Sequence, residues 1–297
     1  MPGVLVIKHG ALGDVVLALG AMAAIRTRHP GERLVLLTTA PYVPLVEPAG
    51  WFDAIRVDGR AGLGRPGELL ALRRSLAREA FRMVYDLQGS SRTGWYRRLW
   101  SGPRPSWYGP LPQNGALHAR VRLERQLAAA GIAAVPPPSV DFLQADIGSF
   151  GFGPEFALLV PGGARRRPEK RWPAAGWAAL ARHLLGRGIT PALIGAGAEA
   201  ETVEAIAAAT PGAVSLCART SFAEIAALGR AARFAVGNDT GPMHLLAAAG
   251  CPVLTLFSAA SDPARSSPGW PEGRWLRRQP LDALAAEEVV AALPQTP

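Results

Sequence analysis

An α/β fold with two doubly wound domains is predicted from three features of this 297-residue sequence. Short apolar runs alternate with longer amphipathic segments, as expected for parallel sheets covered by helices on both faces. Glycine-rich turns follow several of the apolar runs, where ligands bind in such folds. A proline cluster at 136–138 and a glycine-rich stretch at 148–154 interrupt the alternation. We therefore predict one domain at residues 1–150 and a second at 151–297.

The elements of both domains follow from apolar periodicity and from breaker residues. In the first domain, strands are predicted at 4–7, 34–38, 54–57 and 82–87, and helices at 14–28, 67–79 and 117–130. In the second domain, strands are predicted at 156–160, 190–194, 214–216, 234–236 and 253–257. The helices of the second domain are predicted at 174–187, 199–210, 222–231 and 281–293.

Composition narrows the class of protein. Hydrophobic residues make up 49% of the chain and charged residues 19%, which indicates a folded globular protein. Cys217 and Cys251 fit neither a metal-ligand spacing nor a disulfide framework, which favours a reducing compartment. Lys8 follows the apolar residues 4–7 instead of preceding them, unlike a signal peptide. We expect a cytoplasmic protein.

Charge is distributed unevenly along the chain. Residues 1–150 contain 18 basic and 11 acidic residues, a net charge of +7, whereas residues 151–297 have a net charge of +2. A basic half suggests an anionic partner, which could be nucleic acid, a membrane surface or an acidic substrate. A solvated arginine-rich surface explains the bias equally well. Only two of the 32 basic residues are lysines, Lys8 and Lys170.

The most informative segment is 234–244, in which a buried strand, a sharp loop and a helix starting near Pro242 are predicted. A loop of this type directs backbone N–H groups and the positive end of a helix dipole towards an anion such as phosphate. Asp239, Thr240 and His244 add an acceptor, a hydroxyl and an imidazole. Alternatively, Asp239 caps the helix and His244 is an ordinary residue of its first turn.

A similar turn, 8–14, follows the first strand. Gly10 and Gly13 allow a tight turn and close approach of a ligand to the backbone. Asp14 lies at the start of the following helix, where a carboxylate is favoured by the dipole. It is either an N-cap or a general base at the end of the first strand.

The loop 160–173 joins the first strand of the second domain to its first helix. Gly162 and Gly163 open the turn, and Pro173 suits the first helical position. Lys170 is a compact point charge that could neutralise a diphosphate. The alternative is a solvated basic loop.

Residues 195–200 match the loose pattern G-x-G-x-x-A after a strand, which is a weak indication of a dinucleotide site. The acidic residue expected at the end of the next strand is absent, because Leu216 to Arg219 stand there. Glu199 or Glu201 could accept hydrogen bonds from a ribose, or either could stabilise the helix start. A nucleotide-dependent oxidoreductase is therefore one alternative function.

Together these segments resemble glycosyltransferase family 9, the ADP-heptose:lipopolysaccharide heptosyltransferases. The resemblance covers nearly the whole chain and depends on the order and spacing of four motifs. The motifs are 4–15 (VLVIKHGALGDV), 86–89 (DLQG), 170–173 (KRWP) and 237–244 (GNDTGPMH), with 257–263 behind the last.

The resemblance implies two facing Rossmann-like domains, the GT-B fold, with an interdomain cleft. It implies inverting, metal-independent transfer from an ADP-sugar, with no cofactor and no metal ligand. Asp14 matches the catalytic base, and Lys170 matches the residue that stabilises the leaving diphosphate. The residues implied on the donor side are Lys170, Glu199, Thr220, Asp239, Thr240, Gly241 and His244.

The acceptor implied by the resemblance is an anionic glycolipid bound by the first domain, which would explain its positive charge. Gln88, Arg92 and Arg97 are the candidate acceptor residues. Arginines and aromatic residues alternate here, which suits contact with the inner-membrane surface. An amphipathic helix with its aromatics packed inward is the alternative. The mixed residues are Arg92, Trp95, Tyr96, Arg97, Arg98, Trp100, Arg104 and Trp107.

Departures from the family pattern affect the sugar and the acceptor. Ala11 stands where the family usually has serine, Gly20 follows Leu19 in place of proline, and Arg165 to Arg167 replace small hydroxyl residues. A basic nucleic-acid-binding protein is the second alternative function. Neither alternative explains Asp14, Lys170 and Asp239 at strand ends, so we expect a glycosyltransferase that does not bind nucleic acid. We also expect a monomer.

Overall fold

The computed structural model describes residues 3–60, 66–100, 102–112, 117–163 and 167–294. The chain divides into two compact units, an N-terminal unit (Met1–Pro138) and a C-terminal unit (Ser139–Pro297). The division lies within the region 136–154 that was predicted to join the domains. Residues 139–150, which were assigned to the first domain from sequence, belong to the C-terminal unit.

The N-terminal unit contains a five-stranded parallel sheet in the order β3-β2-β1-β4-β5. All four predicted strands are present. The fifth strand was missed because it has only three residues, lies at the sheet edge and carries no apolar run. The strands are β1 (Val4–Ile7), β2 (Leu34–Thr38), β3 (Ala54–Val57), β4 (Met83–Asp86) and β5 (Ser106–Tyr108).

Helices connect these strands. The predicted first helix is two helices that meet at Ala18. Gly20 lies so close to the Pro136 carbonyl that a Cβ would sit 2.0 Å from its oxygen, so this glycine lets the proline segment pack on the helix. The helices are α1 (Leu12–Leu17), α2 (Leu19–Arg28), α3 (Val43–Val46), α4 (Pro66–Arg78), α5 (Ser91–Arg98) and α6 (Ala119–Ala128).

The C-terminal unit contains a six-stranded parallel sheet in the order β11-β10-β9-β6-β7-β8. Its five predicted strands are present. The sixth, an edge strand, was missed because three of its four residues are exposed and two are arginines. The strands are β6 (Phe156–Val160), β7 (Thr190–Leu193), β8 (Val214–Ser215), β9 (Ala235–Asn238), β10 (Val253–Phe257) and β11 (Arg274–Arg277).

The predicted helices of the C-terminal unit are present, except at the end of the chain, and the short helix α11 (Pro263–Ser266) was not predicted. The predicted helix 281–293 is a 3-10 turn followed by a shorter α-helix. The helix predicted to begin near Pro242 begins one residue earlier. The helices are α7 (Ala174–Gly186), α8 (Ala200–Ala208), α9 (Phe222–Ala231), α10 (Gly241–Ala248), α11 (Pro263–Ser266) and α12 (Ala286–Ala291).

The central strands are buried on both faces. Every residue of β1, β2 and β6 is buried, which explains why these segments are continuously apolar instead of alternating. In the C-terminal unit, Trp172 and Trp177 pack edge to face with centroids 5.1 Å apart. Trp172 Nε1 donates to the Leu284 carbonyl (2.8 Å), and Trp177 Nε1 donates to the Trp172 carbonyl (3.1 Å). These contacts fix Trp172, two residues before α7 begins, in the core.

In each sheet, the order in which successive strands are added reverses at one point, the switch point. In the N-terminal unit the chain runs from β1 outward to β3 and then returns to β4 on the other side of β1. The C-terminal unit repeats this order, with the reversal between β6 and β9. Ligands of doubly wound folds bind at such a switch point, beyond the carboxyl ends of the strands. The predicted fold class, two doubly wound parallel α/β domains, is confirmed.

None of the helices within the described ranges has the length and apolar character needed to cross a lipid bilayer.

Gly237 provides a test of the packing around β9. A Cβ at this position would lie 2.8 Å from Val160 Cβ and 2.3 Å from Met243 Sδ. Gly237→Ala is therefore expected to destabilise the protein by about 1–3 kcal/mol through overpacking. In the matched control Gly186→Ala, the Cβ meets nothing within 4 Å, and the helix should gain about 0.5–1 kcal/mol. Urea denaturation would measure both changes, and effects of the same sign would contradict this packing.

Candidate active site

At the switch point of the C-terminal unit, an ion pair joins two loops. Lys170 Nζ donates to Asp239 Oδ2 at 2.7 Å, and the two side chains are 15% and 11% exposed. Lys170 lies in the loop after β6, whereas Asp239 directly follows β9. Because β6 and β9 are neighbours in the sheet, their carboxyl ends bring the two predicted residues together.

Helix α10 begins beside this pair. Thr240 is its N-cap in extended conformation, and the Thr240 side chain makes no capping hydrogen bond. The Asp239 N–H donates to the Leu256 carbonyl at 3.1 Å, which joins the loop to β10. Gly241 opens the helix, and His244 is buried in its first turn. The helix start therefore lies at the carboxyl end of β9, as predicted for an anion site.

Glu199 lies on the other side of β6, after β7. Its Oε1 accepts from the Gly163 N–H (3.0 Å) and its Oε2 from the Ala196 N–H (2.7 Å). A Cβ on Gly162 would lie 2.3 Å from Glu199 Oε1, so only glycine allows this approach. A carboxylate has about four acceptor positions, so Glu199 can still accept hydroxyl hydrogen bonds.

Thr220 lies farther out, in the turn between β8 and α9. It is partly exposed and comes immediately before Ser221, which caps α9 by accepting from the Glu224 N–H. The candidate donor residues follow neighbouring strands of the sheet: Asp239 follows β9, Lys170 follows β6 and Glu199 follows β7. Thr220 follows the edge strand β8 and therefore lies farthest from Asp239 in this order.

Asn238 was missed by the sequence analysis. It is the last residue of β9 and is completely buried. Its side chain bonds to Pro161, Gly162 and Trp172, which all belong to the loop that carries Lys170. The signal was available, since a polar residue at the end of a buried strand needs hydrogen-bond partners.

At the switch point of the N-terminal unit, the ends of β1 and β4 are also joined by hydrogen bonds. Lys8 Nζ donates to the Leu87 carbonyl (3.0 Å), and the His9 N–H donates to Gln88 Oε1 (2.9 Å). Burial is the main cause that lowers the pKa of Lys8, and the nearby charges of Asp14 and Asp86 oppose it. Lys8 was not predicted as a site residue, although it is the only other lysine of the chain.

Asp14 lies in the first turn of α1, and its side chain is exposed. The N-cap is Ala11 instead, and Asp14 Oδ2 accepts a hydrogen bond from the Ala11 N–H at 3.2 Å. The N-cap interpretation of Asp14 is therefore wrong by three positions. The carboxylate stabilises the helix start by reaching back, as the third residue of a capping box does.

Asp14 borders a cavity of about 360 Å³ within the N-terminal unit. Gln126, from α6, fixes one side of this cavity by donating from Nε2 to the Asp86 and Tyr108 carbonyls (2.9 and 3.0 Å). The polar groups could bind a hydroxylated, anionic ligand next to a carboxylate. The charged and polar residues that line the cavity are Lys8, Asp14, Gln88, Arg122 and Gln126.

Arg92, a predicted acceptor residue, binds a carboxylate of its own unit. Its Nε and Nη2 donate to the two oxygens of Asp58 at 2.8 and 2.7 Å. Tyr96 also donates to Asp58, and His9 Nε2 lies 3.3 Å from Asp58 Oδ2. Burial raises the pKa of Asp58, but the hydrogen bonds from Arg92 and Tyr96 outweigh it and lower that pKa overall.

Arg97 is exposed on α5, one turn from Thr93, which is buried. Trp95 is 55% exposed and lies under the Arg98 guanidinium, 5.9 Å from the ring centroid. Trp100 is half-buried and packs against Phe81 of the core. Tyr96 and Trp100 face inward, as expected for an amphipathic helix with its aromatics packed inward, whereas Trp95 faces outward. Contact with a membrane surface stays a prediction. Arg104 is exposed as well.

Within the described ranges, no group of three or more His, Cys, Asp or Glu side chains is arranged to hold a metal ion.

The buried His9 gives a pH test of the N-terminal site. Burial is the main cause that lowers the pKa of His9 from 6.5 to about 4, although Asp58 raises it. At pH values between 6.5 and 4, His9 binds a proton in the unfolded chain but not in the folded chain. The free energy of unfolding should therefore fall by roughly 3 kcal/mol as the pH falls from 6.5 to 4. His9→Gln should lose this part of the pH dependence in urea denaturation, and identical slopes would contradict the assignment.

The sequence of this chain is similar to those of known glycosyltransferases. Residues 134–272 match the profile of glycosyltransferase family 9 (heptosyltransferase). Lipopolysaccharide heptosyltransferase 1 of Pseudomonas aeruginosa is 30% identical over 284 residues, 86% of this chain and 78% of that enzyme. Lipooligosaccharide heptosyltransferase 2 of Haemophilus influenzae is 34% identical over 104 residues, 33% of this chain and only 30% of that enzyme.

Two solved structures have the same fold. A glycosyl transferase family 9 protein from Veillonella parvula superposes with a TM-score of 0.84 at 18% identity, covering 98% of this chain and 95% of that one. E. coli heptosyltransferase WaaC with ADP superposes with a TM-score of 0.76 at 22% identity, covering 97% and 98%. The length of the match with the Pseudomonas enzyme establishes the family. This chain belongs to glycosyltransferase family 9 and is a glycosyltransferase.

Proposed function

We propose that this enzyme transfers a heptose, or a related sugar, from an ADP-sugar to an anionic acceptor of the lipopolysaccharide-core type. The observation that carries the proposal is the Lys170–Asp239 pair beside the start of α10. The relatives support the sugar and the acceptor, since they are named lipopolysaccharide and lipooligosaccharide heptosyltransferases. The structure of WaaC with ADP supports the nucleotide.

The C-terminal unit binds the donor in this proposal. As the glycosidic bond breaks, negative charge grows on the β-phosphate of the leaving ADP. The Lys170 ammonium and the N–H groups at the start of α10 stabilise that charge, in the manner of an oxyanion hole. Because they supply the electrostatic stabilisation, the transfer needs no divalent cation. Thr240, Gly241 and His244 hold the phosphates, Asp239 contacts the sugar, Glu199 accepts from the ribose hydroxyls, and Thr220 lies beside the base.

Asp14 is the general base of the proposed reaction. It takes the proton of the acceptor hydroxyl while the acceptor oxygen forms its bond to the anomeric carbon and the bond to the β-phosphate oxygen breaks. A single displacement of this kind inverts the configuration. Asp14 is suited to the role because it is exposed and borders the cavity of the N-terminal unit.

The acceptor occupies that cavity in the proposal. Lys8 and Arg122 supply positive charge and Gln88 a polar group at its wall. Arg97 contacts the acceptor from the exposed side of α5. Arg92 can do so only together with its bond to Asp58, which already engages two of its nitrogen atoms.

Contact with the membrane is part of the proposal because the acceptor is a glycolipid. Trp95 with Arg98, and the neighbouring Arg97, present an aromatic ring and guanidinium groups to solvent on α5. Such groups suit the interface of an anionic bilayer. We propose a monomer that acts at the cytoplasmic face of the inner membrane.

Asp14→Asn is expected to lower kcat by about 100- to 10,000-fold, because the amide cannot accept the acceptor proton. The affinity for ADP, measured by calorimetry, should stay unchanged. Glu47→Gln is a matched control, since Glu47 is an exposed carboxylate of the same unit that does not line the cavity. Turnover by Asp14→Asn at the wild-type rate would remove Asp14 as the base.

Lys170→Gln is expected to lower kcat/KM by about 100- to 1,000-fold, because one donor to the leaving diphosphate is lost. Sugar transfer from ADP-heptose should be measured in the presence of a chelator, with the exposed Arg187→Gln as the control. The wild-type rate should be the same with and without the chelator. A rate that depends on a divalent cation would contradict the role given to Lys170.

A further inference from the structure

We propose that Asn238 is a positioning residue that holds the Lys170 loop in place for the diphosphate of the donor. This inference rests on the proposed function, because it concerns the part of the site that would bind the nucleotide. Asn238 itself is completely buried and would act only through the loop it holds.

Three hydrogen bonds carry the inference. Asn238 Nδ2 donates to the Pro161 carbonyl at 2.8 Å and to the Gly162 carbonyl at 3.2 Å. Its Oδ1 accepts from the Trp172 N–H at 3.1 Å. Pro161 and Gly162 begin the loop after β6, and Trp172 ends it. One side chain therefore joins the two ends of the loop that carries Lys170.

The chemistry of the amide fits these partners. A carboxamide has an acceptor oxygen and an NH₂ group with two donors, and here both ends are used. Aspartate has the same shape, but its ionised carboxylate has no donor, and its negative charge would repel the two carbonyl oxygens. An apolar residue would leave the Trp172 N–H and the two carbonyls unpaired in a buried position, which is costly.

We call the three hydrogen bonds of Asn238 the tether of the Lys170 loop. The position of Asn238 in the chain connects this tether to the ion pair. Asp239, the partner of Lys170, is the next residue. The end of β9 therefore determines the position of both members of the pair, one directly and one through the loop. Trp172 is held from its other side by its bond to Leu284, and Gly163 is held by Glu199.

This arrangement has a consequence for binding. Lysine has a flexible side chain, and ordering it around a ligand costs conformational entropy. A loop that is already fixed at both ends lowers the cost of binding, and small displacements of such groups reduce rates strongly. Asn238 should therefore matter for the phosphate part of the donor and not for its nucleoside part.

The test compares Asn238→Asp and Asn238→Ala with the wild type by calorimetric titration with ADP and with adenosine. Both variants should bind ADP about 10- to 100-fold more weakly, whereas adenosine affinity should change less than about twofold. Thr255→Val is the matched control. Thr255 is a buried polar residue of the neighbouring strand β10, and its Oγ1 has no hydrogen-bond partner among the described residues. Its ratio of ADP to adenosine affinity should equal that of the wild type.

An unchanged ratio in well-folded Asn238 variants would overturn the inference, as would equal losses for ADP and adenosine, which indicate a general structural role. A second measurement does not need the variants to fold. In the wild type, hydrogen exchange of the Trp172 amide should be as slow as that of amides in β9, because Asn238 protects it. Rapid exchange at Trp172 would contradict the tether. Failure of wild-type protein to bind ADP would instead refute the proposed function, while exchange at Trp172 would still test the tether.

Discussion

The proposed chemistry of this enzyme depends on the ion pair between Lys170 and Asp239. The loops after β6 and β9 produce this pair, because the strand order reverses between these two neighbouring strands and both end at the same edge of the sheet. The positive end of α10 begins there as well. A cation and a helix start at one point favour a ligand with concentrated negative charge. The carboxylate of Asp239 compensates the charge of the half-buried ammonium.

The N-terminal unit has the same topology, but its lysine has different partners. Its reversal point holds the second lysine of the chain, Lys8, but this lysine binds the Leu87 carbonyl and lies close to the carboxylates of Asp14 and Asp86. An ammonium is a compact charge whose pKa responds to burial, unlike that of a guanidinium. The chain has 32 lysine and arginine residues, and its only two lysines lie at the two switch points.

Much of this arrangement could be predicted from sequence, and the failures have physical causes. The helix start after Asp239 is encoded locally, so its position was correct to one residue. The first glycine turn was predicted two residues too long, because α1 begins at Leu12 and already contains Gly13. The edge strands β5 and β11 were missed because they carry no apolar run. The bond between Arg92 and Asp58 joins residues 34 positions apart, and local patterns contain no information about such pairs. Asn238 was visible in its motif, but its partners were not.

The decisive measurement is a crystal structure of the enzyme with ADP. We expect oxygens of the β-phosphate to lie within about 3 Å of Lys170 Nζ, at the start of α10 and beyond the ends of β6 and β9. A diphosphate bound elsewhere, with the Lys170–Asp239 pair intact and out of reach of it, would contradict the proposed role of Lys170.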